Sequence, residues 1–436
     1  MWFPVIIVST CILALQEVTA AALASDPAVL LLQEYVQINT TSNNNLTPAV
    51  AFWKKLADAE GLPFNVVELN QGYPIVVIKW AGSNSSISSI MLNSHMDVVP
   101  AKQEDGWKFP PFSAHIENGV MYGRGTQDMK SVSIQYYEAL RRLKANGVTL
   151  LRDVYMTLMP DEELGAEKGM IPFLQSEEFA KLNVGVELDE GTSYDIPSIP
   201  LFYQDKVVWQ IEVTCHGVAA HGSTFPPNSA TATGKCANVI NRFLKFRDEE
   251  YAKYTKAGIT DAGPYTSVNL NRINGGVANN VIPASVSLTF DIRLGTSVNE
   301  EEFEARINKW IAKAGDNITL TYINKNHQSP ATVISDSNPF WKAFSSAAAK
   351  INLPIMPMVP PGSTDARHVR RAGYPAFGFS PMPNTPFLLH SVNERLDIEV
   401  FLKGIPIYQS IIESLASIPA ADVADNLSSY LIYTAD

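Results

Sequence analysis

Along the first two hundred residues, short apolar runs alternate with stretches whose apolar positions recur three and four apart. Asp26-Pro27 sets a capping carboxylate and a proline ahead of a helical pattern over 28–37. Thr47-Pro48 opens a second helix, which Gly61 closes. Apolar runs at 65–68, 75–80 and 90–93 predict strands, 129–145 predicts a long helix ending before Gly147, and 154–159 reads as a buried strand. Strands alternating with helices predict an α/β sheet covered by helices on both faces.

From residue 204 the pattern changes. Residues 207–215 alternate with near period 2, a helical pattern follows over 229–246, and strands are predicted at 267–272 and 285–294. Ser297-x-x-Glu300 reads as a capping box for a helix ending near Ala314, and 318–323 is a last strand. The order β-α-β-β-α-β is the split-βαβ pattern. It predicts a second domain at 204–327 inserted into a first domain made of 25–203 and 328–436, whose tail carries helices near 338–350 and 397–416. No internal repeat or low-complexity tract is present.

A chain of 436 residues suits two domains. Its 33 basic and 44 acidic residues leave a net charge of −11, which argues against nucleic acid, because a phosphate-binding surface needs a basic stripe. Residues 3–15 are nearly all apolar, and Val18-Thr19-Ala20 and Ala22-Leu23-Ala24 offer small-residue cleavage sites. Residues 1–24 are therefore expected to be a cleaved signal peptide on a secreted protein with no membrane anchor once cut. An uncleaved anchor is the rival reading, since no Lys or Arg precedes the run. Asn39, Asn45, Asn84, Asn317 and Asn426 head Asn-x-Ser/Thr triplets, which agree with export. Cys215 and Cys236 would remain after cleavage and read as two buried thiols, without a disulfide framework.

The chemistry gathers at the ends of apolar segments. Ser94-His95-Met96-Asp97 follows the strand at 90–93, and ligands in α/β folds collect beyond the carboxyl ends of strands. Asp128, in Gly123-Arg124-Gly125-Thr126-Gln127-Asp128-Met129-Lys130, is either the N-cap of the next helix or a metal bridge. Asp161-Glu162-Glu163 follows the strand at 154–159, where adjacent carboxylates repel unless a cation or protons relieve them. A solvated acidic turn is the plainer alternative. Asp189-Glu190-Gly191 and Leu388-Leu389-His390 complete the set. Three carboxylates (Asp128, Glu163, Glu190) and one hydroxide would balance two Zn²⁺. Nitrogen and oxygen donors without thiolate suit catalytic zinc.

His95-x-Asp97-Val98-Val99-Pro100, Gly123-Arg124-Gly125-x-x-Asp128-Met129-Lys130 and Asp161-Glu162-Glu163 resemble the zinc peptidase family that contains aminoacylase-1 and carboxypeptidase G2. Asp189-Glu190-Gly191, Asn280-Val281-Ile282-Pro283, Thr364-Asp365-x-Arg367 and Gly378-Phe379-Ser380-Pro381-Met382 are similar to its aminoacylase branch. The likeness covers nearly the whole chain after residue 24, in the family's order.

The resemblance implies that His95, Asp128, Glu163, Glu190 and His390 hold two zinc ions per subunit, with Asp128 bridging. It implies that Asp97 orients His95, that Glu162 is the general base, and that the insert is a ferredoxin-like lid through which the chain forms a homodimer. Gly217-x-x-x-His221 matches a motif whose histidine reaches the partner's active site and polarises the scissile carbonyl. Asn280 would assist the same oxygen, and Arg367 would hold the substrate carboxylate. Without the resemblance, His221 reads as an exposed lid histidine and Arg367 as a surface residue paired with Asp365. The remaining histidines match no motif.

The reading is a secreted N-acyl-L-amino-acid amidohydrolase acting on a small N-acyl amino acid. A dipeptidase or carboxypeptidase of the same family needs the same metals, base and clamp and is the alternative. A zinc-binding protein without catalysis is a third reading, and the presence of Glu162 with all five ligands speaks against it.

Overall fold

The computed structural model describes residues 22–257 and 261–433. The apolar run at 3–15 lies outside them. Two compact units emerge. The first takes the described residues up to Tyr203 with Thr332–Pro357 and Thr364–Ile432, and the second takes Gln204–Ala331 with Met358–Ser363 and Tyr433.

In the first unit, eight strands form one sheet in the order Phe64–Val67, Ile75–Trp80, Val154–Met159, Ser89–His95, Val184–Asp189, Ala376–Phe379, Ile199–Phe202, Ile355–Met358. Four central neighbours, from Val154–Met159 to Ala376–Phe379, run parallel. Every residue of these four strands is buried, which is why they read as unbroken apolar runs. Side-chain alternation splits the burial between two faces. Ile90 and Leu92 join a core with the helices Pro27–Gln37, Lys130–Ala145 and Ile398–Ala416. Met91, between them, joins Met159, Phe173, Phe179 and Val369 in another core.

Local rules account for the helix ends. Asp26 accepts the Ala28 N–H at 2.8 Å, and Gly61 ends Thr47–Glu60 at φ 64°, a left-handed value that disfavours a side chain. One expectation is corrected: Ser297 does not cap. The helix is Glu300–Ala314, and Asn299 Oδ1 accepts the Glu302 N–H at 2.9 Å, so the cap lies two residues later.

The second unit is a four-stranded antiparallel sheet in the order Ser267–Gly275, Ser285–Leu294, Val207–His216, Ile318–Lys325. With the helices Ala232–Ala257 and Glu300–Ala314 this is the ferredoxin-like arrangement. Trp209, Ile211, Val213 and Cys215 point inward against Val239, Phe243, Phe303 and Ile307. The first helix runs past 246 because residues 247–256 are polar but contain neither Gly nor Pro. The apolar stripe ends at Phe246 while the backbone continues. Cys215 and Cys236 are buried free thiols. Among the described residues no helix is long and apolar enough to cross a membrane.

Candidate metal centre

Parallel strands end together, so their carboxyl-terminal residues share one edge of the sheet. His95 is level with Met159, and Gly378 with Asp189. That register gathers His95, the Glu162–Leu164 turn and Glu190.

His95 is buried, and its Nδ1 lies 2.7 Å from the backbone carbonyl of Asp97. Its Nε2 faces Asp128 Oδ1 at 3.1 Å and Glu190 Oε2 at 3.5 Å. The other oxygen of Asp128, Oδ2, is 3.1 Å from His390 Nε2, which also meets Glu163 Oε2 at 3.0 Å. One carboxylate thus stands between two imidazoles. Asp128 is not a helix cap: Lys130–Ala145 begins after Met129 with no side-chain cap. The acidic turn divides in two. Asp161 Oδ2 accepts the Lys168 N–H at 2.7 Å, whereas Glu162 and Glu163 face the histidines.

The resemblance implied that Asp97 orients His95. The group in hydrogen-bond range is its backbone carbonyl, while the carboxylate is 3.6 Å from Nδ1. The Asp97 carboxylate instead accepts the N–H groups of Glu162 at 3.1 Å and Glu163 at 3.3 Å, and the Ser42 hydroxyl at 3.2 Å.

The donor set fits divalent cations. Ligand-type atoms of His95, Asp128 and Glu163 lie within 4.8 Å of one another, as do those of His95, Glu162 and Glu190. Glu163 Oε1 is buried with no hydrogen-bond partner. Without a cation, protons must relieve the crowding. Burial pushes Glu162 and Glu190 well above the carboxylate range, with Glu190 repelling Glu162 and Asp128 repelling Glu190. Burial alone would lower His95, but Glu190 and Asp128 outweigh it and hold it well above its ordinary value. Hydrogen bonds to Asp128 and Glu163 push His390 up to about 10. Burial pushes Asp128 up, and the two histidines more than reverse that, leaving it below the usual range.

Arg367 is buried. Its Nη1 donates to the Thr364 carbonyl at 2.6 Å and lies 3.7 Å from Glu162 Oε1, and its Nε has no hydrogen-bond partner. It is neither a surface residue nor hydrogen-bonded to Asp365. In the second unit, His221 pairs across a two-stranded ribbon with Val281, next to Asn280, and the Gly222 N–H donates to the Asn280 carbonyl at 2.7 Å. His221 is exposed, with Nδ1 2.8 Å from Ser223 Oγ. Gly217 supports this turn, because a Cβ there would lie 2.2 Å from the Ala232 nitrogen.

Sequence reasoning singled out neither Asn93 nor Glu394, and it named Asp189 in a motif without giving it a role. Asn93 Nδ2 donates to Asp189 Oδ1 at 3.1 Å, and Asp189 Oδ2 accepts the Ala366 N–H at 2.8 Å. Glu394 is fully buried under the Gly123–Asp128 loop. The signal available was indirect: a loop with several buried N–H groups needs an acceptor from elsewhere.

Residues 91–414 match peptidase family M20/M25/M40. Aminoacylase-1 of Homo sapiens is 42% identical over 396 residues, covering 90% of this chain and 96% of that protein. The M20 family metallo-carboxypeptidase Sso-CP2 from Sulfolobus solfataricus superposes with a TM-score of 0.71 at 17% identity, over 90% of this chain and 99% of that one. The YXEP protein of Bacillus subtilis, a dinuclear metal-binding peptidase of the M20 family, gives a TM-score of 0.62 at 13% identity, over 88% and 97%.

The expectation of a secreted protein is corrected by these relatives. The chain aligns over 90% of its length with aminoacylase-1 enzymes, a branch known as cytosolic. The expectation rested on composition in residues 1–24, nearly all outside the described residues, and an apolar run does not by itself define a secretory signal. Ligand-type residues at strand ends, fold and relatives agree, and the chain belongs to peptidase family M20/M25/M40, as a hydrolase acting on amide bonds.

Proposed function

We propose that the chain is an N-acyl-L-amino-acid amidohydrolase that holds two zinc ions and works as a homodimer. The observation that carries the metal reading is Asp128, whose two oxygens each face a different imidazole at 3.1 Å. The amide substrate is supported by 42% identity to an aminoacylase over nearly the whole chain. His95, Asp128 and Glu190 would hold one ion, and Asp128, Glu163 and His390 the other. When bound, the ions would supply Lewis acidity and make water acidic enough to lose a proton near neutral pH.

The residues of this chain do the rest. Glu162, set between His95 and Arg367, accepts the proton of the attacking water and returns it to the leaving nitrogen. Arg367 presents a buried guanidinium to the α-carboxylate of the acyl amino acid. His221 and Asn280, on one ribbon of a second copy, donate hydrogen bonds to the carbonyl oxygen as it gains charge. The products are a carboxylate and a free amino acid.

The test is a comparison of substrates. Acetyl-methionine should be cleaved much faster than unblocked dipeptides ending in methionine, measured as kcat/KM by amino-group release. Preference for the dipeptides would replace the amidohydrolase with a dipeptidase.

A further inference from the structure

His390 has the least local support of the five ligand-type residues. It lies in no helix or strand, its φ is 58°, and its side chain is 56% exposed. Its position must come from elsewhere, and two buried side chains supply it.

Glu394, four residues on, takes Arg124 Nη1 at 2.6 Å and the N–H groups of Gly125, Gln127 and Asp128 at 3.1, 2.7 and 3.2 Å. Gln127 reaches the opposite way. Its Nε2 donates to the carbonyls of Pro386 at 3.1 Å and Arg395 at 2.8 Å, and its Oε1 accepts the Leu388 N–H at 3.1 Å and the Ser193 hydroxyl at 3.0 Å. Each loop grips the other: the 123–128 loop, which ends in Asp128, and the 386–395 loop, which carries His390. All donors and acceptors of the Gln127 amide are used, and Gln127 is 2% exposed. An exchange this complete between loops remote in sequence fixes a separation, and that separation is between Asp128 and His390.

We infer that Gln127 and Glu394 are positioning residues, a reciprocal clasp that places His390 against Asp128 and so sets the affinity of the Asp128–Glu163–His390 metal site more than that of the His95 site, which shares only Asp128 with it. His95 needs no clasp, since it ends a buried strand and is braced by the Asp97 carbonyl. The inference rests on the reading of Asp128 and His390 as ligands.

The test is a zinc titration of metal-stripped protein against a chromophoric chelator. Wild type should bind two ions, and His390→Ala should weaken one. Gln127→Met keeps volume and charge while removing all four hydrogen bonds. It and Glu394→Gln should weaken the same ion by about 10–100-fold and the other markedly less, since Asp128 serves both. Combining Gln127→Met with His390→Ala should cost no more than His390→Ala alone, because both act through one ligand. Should Gln127→Met fail to fold, Ser193→Ala, which removes a single bond to the Gln127 amide, carries the same comparison with a smaller expected loss. Unchanged affinities, equal weakening of both ions, or additive losses in the double variant overturn the clasp. A wild type that binds one ion and ignores His390→Ala overturns the two-metal reading itself, a result read with the clasp intact.

Discussion

The carboxylate of Asp97 and the backbone of Glu162 are joined by a hydrogen bond of 3.1 Å, while the carbonyl of the same Asp97 holds His95. One residue therefore fixes a metal-ligand candidate through its backbone and the base candidate through its side chain. Asp97→Asn keeps the volume but turns one acceptor into a donor that faces an N–H. Activity on acetyl-methionine should fall by about 10–100-fold, the usual effect of losing an outer-shell partner. Steady-state kinetics with zinc content measured in parallel checks this, and unchanged kcat/KM would remove Asp97 from the machinery.

Glu162→Gln should keep zinc and lose turnover. The amide fills the same space but cannot take a proton from water, and a general base contributes about 10²–10⁴-fold. The decisive pair of measurements is kcat and bound zinc. Near-normal kcat in a zinc-loaded variant means the base lies elsewhere.

Much of the fold was legible because burial leaves a period. Ile90 to Leu92 read as a strand since both faces of it are covered, and Trp209 to Cys215 read as alternating since one face is. The ligand-type residues were legible for a related reason, since strand ends such as His95 and Glu190 adjoin runs that pattern reveals. What pattern cannot reveal is a contact made by the backbone or across loops. The Asp97 carbonyl looks the same in every sequence, and nothing near Glu394 announces that Gly125, Gln127 and Asp128 will need its oxygens. Ser297 misled because Asn299, two residues on, is an equally good cap and lies nearer the first helical turn.

The raised groups at and around the metal centre should pull the stability of the metal-free protein down as pH rises from 5 to 9, against the opposite contribution of Lys130 and Lys206, which burial lowers to about 7. A group whose folded pKa is raised contributes stability that is full below its unfolded pKa and lost as pH climbs through the folded one. Burial pushes Asp97 from 3.8 up to about 7 and Asp365 from 3.8 up to about 8. Asp128 and Glu163 push His390 from 6.5 up to about 10, with the same sign. Asp128 is lowered, so its contribution persists across this range and fades only in acid. Zinc would replace the protons held by His390, His95 and Glu190, so the rise in Tm on adding zinc should grow with pH. Thermal melts of stripped and zinc-loaded protein test this, and a zinc increment that shrinks from pH 5 to 9 contradicts it.

His221 should act across subunits. His221→Ala and Glu162→Gln chains, each inactive, should regain part of the activity when exchanged into mixed dimers. One site of such a dimer has an intact base and an intact donated histidine. Mixed dimers shown to form without any recovery would confine His221 to its own chain or remove its role.

Arg367 should set the substrate class. Its guanidinium is buried beside Glu162, with Nη1 held by the Thr364 carbonyl and Nε lacking any partner. A buried donor left unpaired is costly, and a substrate carboxylate would satisfy it. A planar guanidinium offers two parallel hydrogen bonds to a carboxylate, and Lys cannot reproduce that fork. Charge-assisted bonds contribute about 1.5–3 kcal/mol each, and a lost pose costs more in the reacting geometry. Arg367→Lys should therefore lower kcat/KM for acetyl-methionine by on the order of 10²-fold. For the same compound with its carboxylate amidated, wild type should already be poor, and the substitution should matter little. Both substrates are to be measured with both proteins. If wild type cleaves the amide derivative as readily as the acid, or if Arg367→Lys leaves the acid untouched, the carboxylate is recognised elsewhere and the buried Arg367 serves only to hold the Thr364 turn.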